Sequence, residues 1–311
     1  MNRDRLVGVL LVALSATAFG AMAIFARYAY ADGAGPVAVL FLRFLLAGTV
    51  LAVSMLITRR RWPRGRNLLV LGAMGGLFYV GQSLSFFTAL NHAAAGLVAL
   101  LLYLYPFLVT VLGALLLRRR LTVARMCAVL LALVGAALTL GGHLSGEPLG
   151  IALGLLAALI YSVYFLVGSL VLDREDPIAS AAVVMLAAAI VFGGIALSFP
   201  TPFPATLSGW LAVGAIAVVS TVVAMVSLFA GIRRLGAADA ATLSTLEPVV
   251  TVLLAAVFLA EPLQANQLLG GAVILSAVIW LTRAEAPPAA DATAQAPQPA
   301  AEGSTGRSSA L

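Results

Sequence analysis

The chain has 311 residues, of which 62% are hydrophobic and only 10% are charged. This composition excludes a soluble globular fold, because too few polar residues are available to cover a core of this size. A net charge of +6 would suggest a nucleic-acid partner in a soluble protein, but every basic residue is an arginine and most lie between apolar runs. That placement is typical of membrane topology and argues against nucleic acid.

Ten apolar runs are long enough to be transmembrane helices, since a bilayer core of about 30 Å requires about 20 helical residues. In chain order they are predicted at residues 6–30, 36–58, 67–90, 94–117, 123–142, 148–171, 178–199, 208–231, 238–259 and 264–282. The runs are continuous and lack the alternation of barrel strands, so an all-α polytopic membrane protein is expected. The first run exceeds the apolar region of a signal peptide, usually about 7–15 residues, and is interpreted as an uncleaved span.

The loop arginines predict the orientation of these spans. Clusters lie within residues 59–66 and 118–125, whereas Arg27 is the arginine that belongs to a loop on the opposite side. Arginine accumulates on the cytoplasmic side of membrane helices, so both termini are predicted to be cytoplasmic. The Ala- and Pro-rich segment 284–311 is expected to be a disordered cytoplasmic tail.

The segment 85–121 recurs in diverged form at 227–263, which is 142 positions later, and the two copies are identical at 11 of 37 positions. The arginine cluster at the end of the first copy (118–120) is absent from the second, whose own arginines, 233–234, lie near its beginning. This exchange predicts that one unit is inserted in both orientations. Inverted repeats of this kind are typical of secondary transporters.

Ten spans and this period divide the chain into two halves of five spans, 1–142 and 148–283. The chain resembles the EamA-type members of the drug/metabolite transporter superfamily. The residues that carry the resemblance are Leu104-Tyr105-Pro106, Leu246-Glu247-Pro248-Val249, Ala260-Glu261-Pro262-Leu263 and Arg43-Phe44. The resemblance covers residues 6–283. One departure is the run of arginines at 118–120, where the family often has a Gly-Glu-Arg type of turn.

The resemblance implies secondary transport of small metabolites, often export of amino acids or related compounds across the bacterial inner membrane, frequently by proton exchange. It implies no cofactor. The expected partners are a small solute, the lipid bilayer and protons. A lipid or polyprenyl-carrier flippase of the same fold is an alternative, and a membrane-embedded enzyme or scaffold is another. The sequence has no nucleotide-binding motif and no metal-ligand spacing.

Glu247 is the principal candidate for binding a proton or a substrate amine. It lies near the middle of the ninth span, where an acidic group is expected to face a cavity or a partner. Pro248 follows it and interrupts helical hydrogen bonding. The corresponding residues of the first half are Tyr105 and Pro106, so the sequence predicts two helix breaks beside polar residues. Broken helices near the midplane are where transporters tend to bind their substrates.

Arg43, within the second span, is the candidate for a substrate carboxylate, with structural pairing or snorkelling to the interface as alternatives. Asp239 is expected to favour the start of the ninth span through the helix dipole, and His92 to be an interfacial residue. Further polar residues could line a central cavity or form hydrogen bonds between helices. This further set comprises Tyr79, Gln82, Ser83, Tyr103, Tyr161, Tyr164, Thr242, Ser244 and Thr245.

Overall fold

A computed structural model describes residues 3–89, 92–93, 95–117, 122–140, 146–173, 175–260 and 262–284. Two expectations from the sequence lie outside these residues. One is the disorder of the tail beyond residue 284, and the other concerns the arginines at 118–120.

The described chain is built from helices joined by short turns. The helices of the first half are α1 (Arg3–Gly20), α2 (Met22–Ala31), α3 (Pro36–Ile57), α4 (Gly65–Ala73), α5 (Val80–Ala89), α6 (Ala95–Leu102), α7 (Tyr105–Leu117) and α8 (Val123–Leu140). The helices of the second half are α9 (Pro148–Val171), α10 (Pro177–Ser198), α11 (Leu207–Ala217), α12 (Ala224–Leu235), α13 (Ala237–Leu243), α14 (Glu247–Phe258) and α15 (Ala265–Ala284).

Eight helical stretches of the described chain are long and apolar enough to cross a membrane. Two further apolar helices, Val123–Thr139 and Ala265–Leu281, are shorter. The protein is therefore an all-helical, multi-pass membrane protein, as the sequence predicts, whereas the total of ten spans stays a prediction. The predicted first span is one helical stretch, Arg3–Ala31, in which a one-residue turn at Ala21 separates α1 from α2. The carbonyl of Gly20 at this turn accepts a hydrogen bond of 3.1 Å from the Thr251 hydroxyl.

Three segments depart from α-helical geometry. A π-helical segment, Met74–Tyr79, joins α4 to α5, and a second, Val218–Val223, joins α11 to α12. The two lie at nearly equivalent positions of the halves, since Tyr79 and Thr221 are 142 residues apart. A 3₁₀ turn, Ser244–Leu246, joins α13 to α14. π-helical segments are rare and often occur at functional sites, so their recurrence indicates a functional site near these two segments.

The two halves pack crosswise rather than side by side. α1 packs on α12 of the other half, and the equivalent pair, α9 and α5, packs in the same way. α3 packs on its counterpart α10, and α8 packs on its counterpart α15. The bundle core, which includes the buried Phe44, Phe165 and Phe192, is therefore built jointly by both halves. A rearrangement of one half must alter contacts with the other.

The helices terminate at two opposite ends of the bundle. At the Arg5 end, α1 and α13 begin, and the Arg5 guanidinium lies 3.3 Å from the Asp239 carboxylate. At the His92 end, the His92 ring lies 2.9 Å from the carboxylate of Glu147, the residue that precedes α9. α1 and α9, which open the two halves, thus begin at opposite ends.

Asp239 lies in the first turn of α13, where the sequence places an acid that favours the helix start, but its side chain also binds residues of other helices. Gly236 is the N-cap of α13, and the α13 N-terminus has no side-chain capping bond. Asp239 instead lies 2.9 Å from Nη2 of Arg125 as well as 3.3 Å from Arg5, with only 2% of its side chain exposed. The two arginines are far from Asp239 in the sequence, so the local sequence indicated only a role at the helix start.

Gly236 is also the whole connection between α12 and α13, and its φ of 83° is a conformation that glycine adopts without strain.

Candidate functional site

A cavity of about 270 Å³ lies between helices of both halves. This volume is close to the lower end of the range for small-molecule sites, about 300–1,000 Å³. Apolar side chains such as Phe19, Met22 and Ile216 contribute much of its wall. Eight of the residues predicted from the sequence line it, namely Arg43, Tyr79, Gln82, Ser83, Tyr103, Tyr105, Tyr161 and Glu247.

The two interrupted helices bring Tyr105 and Glu247 to this cavity. Tyr105 is the first residue of α7, and Glu247 is the first residue of α14. Pro106 and Pro248 occupy the second positions of these helices, where the missing N–H of proline removes no helical hydrogen bond. The helix is therefore interrupted immediately before each proline, and equivalent positions of the two halves contribute a phenol and a carboxyl group to one cavity.

Arg43 is held at the cavity wall by two hydroxyl groups. Its Nε donates to the Thr221 hydroxyl over 2.8 Å, and its Nη2 donates to the Tyr79 hydroxyl over 2.9 Å. The guanidinium also lies over the ring of Phe44, 4.9 Å from the centroid. Only 5% of Arg43 is exposed, so the guanidinium does not snorkel to an interface. Among the described residues, no carboxylate forms an ion pair with Arg43.

Glu247 is the acidic residue of the cavity wall, and its side chain is half-buried. No described residue forms a hydrogen bond or an ion pair with its carboxyl group. Arg43 and the phenols of Tyr103 and Tyr105 line the same cavity as this carboxyl group. The cavity thus contains a cation and an acid that form no ion pair with each other.

Aromatic rings form a continuous contact from Tyr105 to Tyr79. The centroids of Tyr105 and Tyr161 are 4.7 Å apart, those of Tyr161 and Tyr164 are 5.9 Å apart, and those of Tyr164 and Tyr79 are 5.6 Å apart. Aromatic pairs at such distances stabilise packing beyond the burial of their surface. The arrangement gives one side of the cavity a wall of amphipathic rings.

Four residues of the predicted set do not line the cavity. Tyr164 belongs to this row of rings but is only 1% exposed and does not reach the cavity. Thr242 donates its hydroxyl proton to the backbone carbonyl of Ala238. Ser244 and Thr245 donate their hydroxyl protons to the backbone carbonyls of Ala240 and Thr242. These hydroxyls are therefore bonded within their own helical segment, which is neither a cavity wall nor the hydrogen bonding between helices that the sequence left as the alternative.

Thr251, Tyr30 and Thr221 were not identified from the sequence. Thr251 lies four residues after Glu247, a spacing that places two residues on one helical face, and it lines the cavity. Tyr30 lines the cavity because α2 turns at Ala21 and continues along the wall. Thr221 contacts Arg43 from behind, and its one sequence signal is that it stands 142 positions after Tyr79.

The described residues contain no group of three His, Cys, Asp or Glu side chains arranged to hold a metal ion. The chemistry of the site as described is therefore that of hydrogen bonds, charges and apolar contact. It can bind a polar solute and hold a proton on a carboxyl group.

A family model, the EamA-like transporter family, matches the chain twice, at residues 6–141 and 148–283. The chain belongs to the EamA-like transporter family. It is similar to the uncharacterized transporter YcbK of Bacillus subtilis (strain 168), with 31% identity over 289 residues that cover 86% of this chain and 90% of that protein. It is also 30% identical to the uncharacterized inner membrane transporter YedA of Escherichia coli (strain K12), over 77% of this chain and 79% of the relative.

A solved crystal structure has the same fold as this EamA-like transporter, with a TM-score of 0.79 and 25% sequence identity, and the match covers 91% of this chain and 99% of the other. The family and these relatives identify the protein as a membrane transporter. Its many apolar helices and its likeness to YedA identify a multi-pass protein of the inner membrane. The cavity between the halves is the candidate transport site.

Proposed function

We propose that this protein is a secondary active transporter that exports amino acids or related small metabolites in exchange for protons. The observation that carries the proposal is that one cavity contains hydrogen-bond donors at Arg43 and Tyr79 and the carboxyl group of Glu247, which has no partner among the described residues. A solute that carries an anionic group and a cationic group can pair with the donors through the first and with the Glu247 carboxyl group through the second. A solute with one charge leaves a buried charge without a partner, which is unfavourable.

Exchange with protons follows from the position of Glu247. An acidic group near the bilayer centre costs roughly 2.5–3.5 kcal/mol on insertion scales, so the ionised carboxylate requires a cationic partner there. The ammonium group of a solute supplies that partner, and a proton removes the need for it. Because one carboxyl group cannot satisfy both at once, solute release and proton uptake are linked at Glu247.

The proposed mechanism is alternating access between two inverted halves, 1–142 and 148–283, with ten spans and both termini in the cytoplasm. The crosswise packing of α1 on α12 and of α9 on α5 supports relative movement of the halves around the cavity. In this orientation the Arg5 end faces the cytoplasm. The part of the first span that lines the cavity, from Phe19 to Tyr30, is remote from that end. We infer that the structure represents a state of the transport cycle in which the cavity is closed towards the cytoplasm.

The test is counterflow of labelled amino acids in proteoliposomes at two external pH values. We expect the wild-type protein to exchange at least one amino acid at a rate that depends on pH. Glu247→Gln should remove the pH dependence while the protein still folds, and Glu147→Gln, an acid outside the cavity, should keep it. Unchanged pH dependence in Glu247→Gln contradicts the proton exchange. Movement of labelled lipid without solute flux contradicts the transport of amino acids and supports a flippase.

A further inference from the structure

Thr221 contacts Arg43, which lines the cavity, but does not itself line the cavity. It lies in the π-helical segment Val218–Val223, and none of its surface is exposed. Its hydroxyl oxygen is 2.8 Å from Nε of Arg43 and 2.8 Å from the carbonyl oxygen of Ile216. Ile216 is five residues earlier, which is the spacing of π-helical hydrogen bonding. The irregular helix therefore brings this hydroxyl to Arg43.

The direction of each hydrogen bond follows from the chemistry of the guanidinium. Arginine has five N–H donors and no acceptor, so the oxygens of Thr221 and Tyr79 must both accept. The Thr221 proton is then donated to Ile216, which leaves that hydroxyl fully used. The Tyr79 proton has no acceptor among the described residues, and Tyr79 lines the cavity. Nε and one proton of Nη2 are thus already used in hydrogen bonds. The remaining N–H groups of Arg43 and the Tyr79 hydroxyl are all available as donors.

Tyr79 and Thr221 are also equivalent residues of the two halves. They are 142 positions apart, and each belongs to the π-helical segment of its half. Arg43 therefore lies between matching positions, held by the first half on one side and by the second half on the other. Two anchors from two helices restrict the rotation of a planar group far more than one anchor does.

We propose that Thr221 is a positioning residue that orients the Arg43 guanidinium so that its free N–H groups bind the carboxylate of the solute. This inference rests on the proposed function and adds the orientation of the donors to it. Thr221 acts through Arg43 and does not touch the solute. Its loss leaves the arginine present and charged but free to turn away from the carboxylate.

The test compares Thr221→Val, which has the same shape without the hydroxyl, with Thr221→Ser, which keeps the hydroxyl. Counterflow is measured with the mixture of natural amino acids, and competition by an amino acid is compared with competition by its amide, which has no carboxylate. We expect Thr221→Val to raise the KM by about tenfold, as fits loss of a hydrogen bond to a charged group, and to leave kcat within about twofold. The preference for the amino acid over its amide should also fall by about tenfold. Thr221→Ser should restore both the KM and this preference.

Thr139→Val is the matched control, because Thr139 is also buried and, within the described part of the chain, its hydroxyl bonds only to the backbone carbonyl of Gly135. It should leave the KM and the acid preference unchanged. If Thr221→Val does not fold, Thr221→Ala serves the same comparison. An unchanged acid preference in a folded variant, or an equal loss for acid and amide, overturns the positioning role alone. Absence of amino acid flux in the wild-type protein overturns the proposed function and this inference together.

Discussion

The two ends of the bundle are related by the internal repeat, yet they are joined by different chemistry. At the Arg5 end, the buried Asp239 binds two arginines from α1 and α8. At the His92 end, the contacts are exposed: 70% of the Glu147 side chain is accessible where it meets His92. Burial decides the strength of such pairs, because solvent weakens exposed ion pairs and breaking a buried pair leaves an uncompensated charge.

Equivalent residues emphasise the contrast. His92 and Arg234 are 142 positions apart, and Arg234 lies 3.3 Å from the carboxylate of Asp4, whose side chain is 71% exposed. The two pairs are thus both weak by exposure, although only His92 and Arg234 are repeat equivalents. What distinguishes the Arg5 end is Asp239, whose repeat equivalent is the apolar Leu97. Because Leu97 is apolar, the His92 end has no carboxylate at the position from which Asp239 binds its two arginines.

The largest expected effect comes from removing the buried acid. Asp239→Ala leaves Arg5 and Arg125 without this carboxylate, and we expect the free energy of unfolding to fall by about 3–5 kcal/mol, as for other broken buried pairs. Thermal and denaturant unfolding in detergent measure the loss. Asp173→Ala, at an exposed position, is the control and should change little. A loss below about 1 kcal/mol would remove the contrast between the ends.

A smaller effect is expected when one of the two arginines is removed. Arg125→Gln keeps the Arg5 contact with Asp239, so we expect a loss of about 1.5–3 kcal/mol, the usual contribution of a hydrogen bond to a charged group. The double variant with Asp239→Ala should be only slightly less stable than Asp239→Ala alone. Additive losses in this cycle would show that Arg125 acts independently of Asp239.

At the other end, Glu147→Gln should reduce the free energy of unfolding by less than about 1 kcal/mol, since exposed ion pairs contribute about that much at most. The same measurement on Asp4→Asn tests whether the exposed pair of Asp4 and Arg234 at the Arg5 end is as weak. A loss in Glu147→Gln as large as that in Asp239→Ala would make the two ends alike.

The smallest effect concerns Asp32, which stabilises the start of α11. Its carboxylate accepts hydrogen bonds from the backbone N–H and the hydroxyl of Thr206, at 2.9 Å and 2.6 Å, and these bonds lower the pKa of Asp32 below 3.8. The contribution is present above that value and is lost as the pH falls through the lowered pKa. The Tm of Asp32→Asn should therefore fall less than that of the wild type between neutral and strongly acidic pH. Equal slopes would show that this contact stabilises nothing.

The sequence predicted the apolar helices, the membrane class and the family, because these depend on composition, run length and short motifs. It also singled out Glu247 and Tyr105, since a polar group before a proline within an apolar span is conspicuous. It did not reveal that Asp239 binds Arg5 and Arg125, because those partners come from other helices. The π-helical segments also went unpredicted, because nothing in their apolar sequence distinguishes them from ordinary helix.

The single glycine between α12 and α13 has a mechanical consequence. A one-residue connection has two free backbone torsions, so the φ and ψ angles of Gly236 set the angle between α12 and α13. Thr221 lies in the π-helical segment that precedes α12, and Glu247 begins α14 after the 3₁₀ turn that follows α13. A change of these two torsions would therefore alter the distance between the residue that anchors Arg43 and the carboxyl group of Glu247.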